Sequence, residues 1–206
     1  MTKKIYLARH GQDEDNARAV LNGHRDKPLT ILGKKQAELF AANIKKLDLK
    51  IDKVYSSPLQ RAYDTALAAT KILGLDNPEK LDLLIERDFG TMTGKAISEA
   101  LEINKNNLLY TNTVTYLING EGVETFPELL TRAKKLFSWL EENETAENIL
   151  LVCHGDIGKM IYCAFYNLDW KNVLSEFHFG NTEIILLENG LEPEKRIIYH
   201  AKQENI

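Results

Sequence analysis

Short apolar runs alternate with longer amphipathic stretches along this chain. Ile5-Tyr6-Leu7-Ala8 and Ile149-Leu150-Leu151-Val152-Cys153 are continuous apolar runs, the pattern of strands covered on both faces. Lys53-Val54-Tyr55-Ser56 is a shorter run of the same kind. Between and after them, apolar residues recur at three and four positions, the spacing of a helix face. One stripe joins Ala37, Phe40, Ala41, Ile44 and Leu47, and a second joins Leu59, Ala62, Ala66, Ala69 and Leu73. A third, Leu129, Leu130, Ala133, Leu136, Phe137 and Leu140, starts just after Pro127, and a fourth, Ile157, Met160, Ile161, Ala164 and Phe165, follows Gly155-Asp156. Ser57 before Pro58 reads as an N-cap with proline at the first helical position. Glu183 to Glu188 and Arg196 to Tyr199 supply later strands, one of them antiparallel at an edge. This order predicts an α/β fold, a three-layer α/β/α sandwich around a mostly parallel sheet.

One stretch departs from the alternation. Lys95 to Gly120 is rich in Asn and Thr and weakly periodic, which predicts a small helical or loop insertion, about residues 95–123, capping one end of the sheet. It is too short for a domain of its own. We expect a single domain over residues 1–206, without internal repeats or low-complexity linkers.

Composition narrows the class of partner. A net charge of -4, with no Lys/Arg cluster, predicts neither nucleic acid nor a membrane surface as partner. It leaves an anionic small molecule open, because arginines close to a phosphate in a cleft outweigh distant, screened charges. Cys153 and Cys163 both lie in apolar runs and read as buried free thiols. The opening residues lack the pattern of a secretory signal, and no segment approaches the roughly 20 apolar residues of a membrane span, so a cytoplasmic location is expected.

In open α/β sheets, ligands bind beyond the carboxyl ends of the strands. The first strand runs into Arg9-His10-Gly11, the short one into Ser56-Ser57 and then Arg61, and the run at 149–153 into His154-Gly155. Two histidines and two arginines are therefore predicted to share one mouth. Glycine after each histidine would let a ligand approach the backbone, and a helix opening near Gly155 would aim free N–H groups at an anion. Taken singly, each residue has a plainer reading: a structural histidine, an Arg61 solvated and paired with Asp64 or Asp13, a Glu86 on the surface. His24, His178 and His200 lack such partners and read as structural, His24 in a Gly- and Pro-bounded loop near the expected cleft.

The ordered motifs resemble a known family. Arg9-His10-Gly11-Gln12 with Asn16, Gly23-His24-Arg25-Asp26-Lys27-Pro28-Leu29-Thr30 with Gly33, and Ser56-Ser57-Pro58-Leu59-Gln60-Arg61-Ala62 open the match. Glu86 with Gly90 and Gly94, Gly122-Val123-Glu124-Thr125 with Arg132, Val152-Cys153-His154-Gly155 and Asn181-Thr182 continue it. Together they resemble the histidine phosphatase, or phosphoglycerate-mutase-like, superfamily. The resemblance implies a phosphoric monoester hydrolase of the histidine acid phosphatase type, acting on a small phosphorylated metabolite with neither metal nor cofactor, as a monomer or homodimer. It implies that His10 forms a phosphohistidine, and that Arg9, Arg61 and His154 bind the transferring phosphoryl group. Glu86 would be the acid and base, with Asp88 its rival two residues away. Gly11, Gln12, Asn16, Gly23, Lys95 and Gly155 would complete the substrate site.

The chain also departs from the pattern. Asp13 and Asp15 stand where Thr and Trp are common in the family, and Asp156 where a small or amide residue is frequent. Carboxylates beside the cleft would penalise further anionic groups on the substrate. Between Gly94 and Gly122 there is no arginine or proline, only Lys95 and Lys105 as cations, which favours water over a second phosphate ester as acceptor. A cofactor-dependent mutase and a catalytically weak phosphate-binding module are the alternatives.

Overall fold

The computed structural model describes residues 3–195 and 198–199. The first apolar run becomes β1 (Lys4–Arg9), followed by the short α1 (Glu14–Ala17) and the long α2 (Ile31–Lys46). β2 (Lys53–Ser56) leads into α3 (Gln60–Leu73) and the two-residue β3 (Glu79–Lys80). The middle of the chain holds α4 (Ile97–Ile103), a hairpin of β4 (Leu108–Tyr110) and β5 (Thr115–Leu117), and α5 (Phe126–Asn143). β6 (Asn148–Cys153), α6 (Gly155–Tyr166), α7 (Trp170–Glu176), β7 (Ile184–Leu187) and β8 (Ile198–Tyr199) follow.

Six strands form one sheet in the order β3-β2-β6-β1-β7-β8. The first four are parallel, β7 is antiparallel to β1, and β8 is antiparallel to β7 at the edge. Alternation along the central strands divides the core. Ile5, Leu7, Ile149 and Leu151 face α5 and α6, while Tyr6, Ala8, Leu150 and Val152 face α2 and α3. Continuous apolar runs are thus what a sheet between two helical layers requires, each buried Leu or Ile contributing roughly 1.5–3 kcal/mol. The three-layer α/β/α sandwich is the fold that the hydrophobic pattern predicts. Among the described residues no helix is long and apolar enough to cross a membrane.

Several local expectations are corrected. Leu47 lies past the last turn of α2, as its C-cap, and is largely exposed. Ser57 does not cap α3. Leu59 is the N-cap and contributes no side-chain bond; Asp26 Oδ1 reaches across to accept the Gln60 amide at 2.6 Å. α5 begins with Phe126, one residue before Pro127, behind a capping box in which Thr125 and Glu128 satisfy each other's backbone amides. The segment predicted as an insertion contains α4 and the β4–β5 hairpin, elements too short to leave a clear period. An isolated bridge between Val20 and Ala96 ties it to the loop before α2. Of the last predicted strand, Ile198 and Tyr199 pair with β7, whereas Arg196, Ile197 and His200 lie outside the described residues.

Candidate active site

β1 and β6 are parallel neighbours in register, Arg9 opposite Cys153, so the two histidines that follow them emerge side by side. The His10 amide donates to the Cys153 carbonyl at 3.0 Å, and the rings of His10 and His154 meet edge to face with centroids 4.9 Å apart. His10 is buried, and its Nδ1–H donates to the Gly11 carbonyl at 2.6 Å. That bond selects the tautomer whose Nε2 carries a lone pair. Burial, then the Arg61 and Arg9 charges, push the His10 pKa well below the usual histidine range, so the ring stays neutral.

Arg61 is fully buried in the first turn of α3, not the solvated helix charge of the plainer reading. Its Nε donates to His154 Nδ1 at 3.1 Å and lies 3.3 Å from Asp13 Oδ2. Nη1 and Nη2 donate to the Arg25 and Gly23 carbonyls at 2.7 and 2.9 Å. Because Nδ1 accepts, His154 carries its proton on Nε2 and donates it to Ser57 Oγ at 2.7 Å. Burial and the neighbouring Arg61 keep His154 neutral as well. This is the use the fold makes of Ser57 in place of helix capping.

Glu86 comes from the loop after β3 and faces the same space. Its Oε1 accepts the amides of Arg87 at 2.8 Å and Ile157 at 3.2 Å, and Oε2 that of Asp156 at 3.3 Å. These bonds favour the carboxylate. Burial, with the Asp156 charge behind it, outweighs them and raises the Glu86 pKa. Arg132 holds the loop, donating to the Leu83, Ile85 and Glu86 carbonyls while pairing with Glu124. His24 Nε2 donates to the Glu86 carbonyl at 2.8 Å. Asp88, the rival carboxylate, is turned outward, accepting the Gly90 amide and lying 3.8 Å from His24.

Arg9, His10, Asn16, Glu86 and Gly155 line one cleft of about 250 Å³, with Asn22, Arg87, Asp156, Lys159, His178 and the cap residues Ile97, Leu101 and Val114 to Leu117 also in its wall. Arg61 and His154 lie one layer deeper, against His10. The remaining predicted residues sit elsewhere. Gln12 accepts from Thr30 Oγ1 at 2.9 Å beside the start of α2, Gly23 supplies its carbonyl to Arg61, and Lys95 pairs with Glu99 at 2.8 Å. Gly11 is needed for packing, not for ligand approach: a Cβ there would come within 2.6 Å of the Gly33 carbonyl. Gly155 does face the site, the space of its Cβ lying 3.7 Å from both Arg9 Cζ and Glu86 Oε2.

The sequence reading passes over two cleft residues, Lys159 and Arg87, and takes a third, His178, as structural. Lys159 is buried one turn into α6, its Nζ donating to Tyr116 Oη at 2.5 Å, and burial lowers its pKa. Arg87 is buried between the rings of Phe89 and Phe126 and pairs with Asp156 at 2.8 Å, which offsets the charge of that unusual carboxylate. His178, read as structural, lines the cleft. The four-residue step from Gly155 to Lys159 on one helix was the available signal for Lys159. A larger groove, about 650 Å³, runs between α2 and α3 and contains none of these groups.

Comparison with known proteins identifies the family. The family model for the histidine phosphatase superfamily (branch 1) matches residues 5–195. A Hydrogenobacter thermophilus protein named "Putative phosphoserine phosphatase 2" is 34% identical, over 98% of this chain and 96% of its own. Phosphoglycerate mutase-like protein 4 of Arabidopsis thaliana is 31% identical, over 77% of this chain and 69% of its own. The structure of phosphoserine phosphatase from Entamoeba histolytica in complex with 3-phosphoglyceric acid superposes with a TM-score of 0.73 at 28% identity, covering 89% of each chain. The chain belongs to the histidine phosphatase superfamily, branch 1.

Proposed function

We propose that this protein is a metal-independent phosphatase that hydrolyses small phosphate monoesters through a phosphohistidine on His10. The observation that carries the reading is the neutral His10 ring, with its proton held on Nδ1 by Gly11 and a buried, protonatable Glu86 in the same cleft. In the first step Nε2 attacks phosphorus, the bond from phosphorus to the ester oxygen breaks, and Glu86 gives that oxygen its proton. In the second, Glu86 as carboxylate takes a proton from water, the water oxygen bonds to phosphorus, and the Nε2–P bond breaks. Phosphate leaves, and His10 and Glu86 return to their starting forms.

Charge on the transferring oxygens would be met by Arg9, with Asn16 and the Gly155 amide as neutral donors, while Arg61 acts from one layer deeper through its charge and His154, held between Arg61 and Ser57, backs the His10 ring. These cationic and polar groups supply what a metal ion would otherwise provide. The cap favours water as acceptor. Its cleft-lining residues are Ile97, Leu101 and Val114 to Leu117, while Lys95 is occupied by Glu99. Relatives named as phosphoserine phosphatases suggest a substrate with a carboxylate, for which Lys159, in the cleft wall beside Tyr116, would be the cation.

The test is hydrolysis of p-nitrophenyl phosphate in EDTA, set beside isomerisation of 3-phosphoglycerate in the presence of 2,3-bisphosphoglycerate. Chelator-resistant hydrolysis without isomerisation is expected. Isomerisation would make the protein a mutase, and neither activity, with tight phosphate binding, a binding module.

A further inference from the structure

Asp13 is a carboxylate with no exposed surface, placed directly behind His10. Its Oδ1 accepts the Asn16 amide at 2.8 Å and so caps α1. A threonine or serine would do that much. The second oxygen has a different position: Oδ2 accepts from Asn22 Nδ2 at 2.8 Å, lies 3.3 Å from Arg61 Nε, and lies 3.9 Å from His10 Nδ1. Burial raises its pKa, while the Asn16 amide and Arg61 work in the opposite direction. Capping alone does not require a buried charge at this position, and a buried charge is costly unless something matches it.

We propose that Asp13 is a positioning residue acting through His10 and Arg61, countering the positive charge that the His10 ring gains on phosphorylation and restraining the pull of Arg61 on phosphate. This rests on the reading of His10 as nucleophile. When Nε2 bonds to phosphorus and Nδ1 keeps its proton, the neutral ring becomes a cation. Arg9 at the end of β1 and Arg61 on α3 oppose that change. On the carboxylate side stand Asp13, Asp15 on α1 and Glu86 across the cleft. Asp13 lies beside both the ring and Arg61, so it favours the phosphorylated ring and weakens the hold on free phosphate, the product that must leave.

The experiment compares full-length wild type with Asp13→Thr, which keeps a capping oxygen, and Asp13→Asn, which keeps the shape. Two readouts are taken: inhibition by inorganic phosphate, and the fraction of enzyme trapped as acid-labile phosphoenzyme during turnover of p-nitrophenyl phosphate. In a variant that melts with the wild type, phosphate should inhibit about tenfold more tightly and the trapped fraction should fall about fivefold, the scale of roughly one pKa unit of charge interaction. The sign separates this from a packing role, because a disturbed pocket binds phosphate more weakly. Unchanged or weaker phosphate inhibition, or an unchanged trapped fraction, in a folded variant would overturn the proposal. Trapped phosphate on a residue other than His10 would instead remove His10 as nucleophile, and the part of the proposal that acts through His10 with it, while the inhibition constants still judge the pairing of Asp13 with Arg61.

Discussion

Arg61 Nε donates to His154 Nδ1 across 3.1 Å, joining residues 93 positions apart in the chain. The same guanidinium reaches Asp13 and the carbonyls of Gly23 and Arg25. It therefore sets the His154 tautomer and closes the loop before α2 over the site. A planar fork can do this, and a single ammonium cannot.

Arg61→Lys should accordingly be far from conservative. We expect a loss of about 3 kcal/mol in denaturant unfolding, because Asp13 would be left buried and poorly paired. We also expect kcat/KM to fall at least about 100-fold from the disturbed phosphoryl site. A variant with wild-type stability and rate would show that the network is incidental.

Glu86 sets the second prediction. Its raised pKa keeps the acid form present above the usual carboxylate range, and activity on alkyl phosphates should decline as pH rises through that value. His10 stays neutral far into the acid range, so little activity is lost on that side through His10. Glu86→Gln should lower kcat/KM, which reports the first step alone, by roughly 10²–10⁴ for alkyl phosphates and much less for aryl phosphates, and remove the alkaline decline. Equal losses of kcat/KM on aryl and alkyl esters would take the acid role from Glu86.

Lys159 sets the third. Lys159→Met keeps an unbranched apolar stem and removes the cation that touches Tyr116. KM for phosphoserine or 3-phosphoglycerate should rise about tenfold, with p-nitrophenyl phosphate nearly unaffected. A parallel rise for all three would assign Lys159 to packing alone.

The sandwich was legible because its central strands are covered on both faces, and Ile5 to Ala8 and Ile149 to Cys153 record that as unbroken apolar runs. The convergence of His10, Arg61 and His154 was legible from their motifs at strand ends, and the place of Glu86 only from the family resemblance. What stayed hidden was set by tertiary partners. Ser57 looked like a cap because Pro58 follows it, yet its hydroxyl meets His154, and the cap comes from Asp26 far upstream. Gly11 looked like an opening for ligand, yet the Gly33 backbone fills the space. Lys159 carried little local signal, since only the fold of the 95–123 segment brings Tyr116 to it.

The most direct test of the account is rapid acid-free quenching with a ³²P-labelled monoester, followed by peptide mapping. The wild type should carry alkali-stable, acid-labile phosphate on His10, and His10→Ala should carry none. Label on another residue, or turnover by His10→Ala at the wild-type rate, would contradict it.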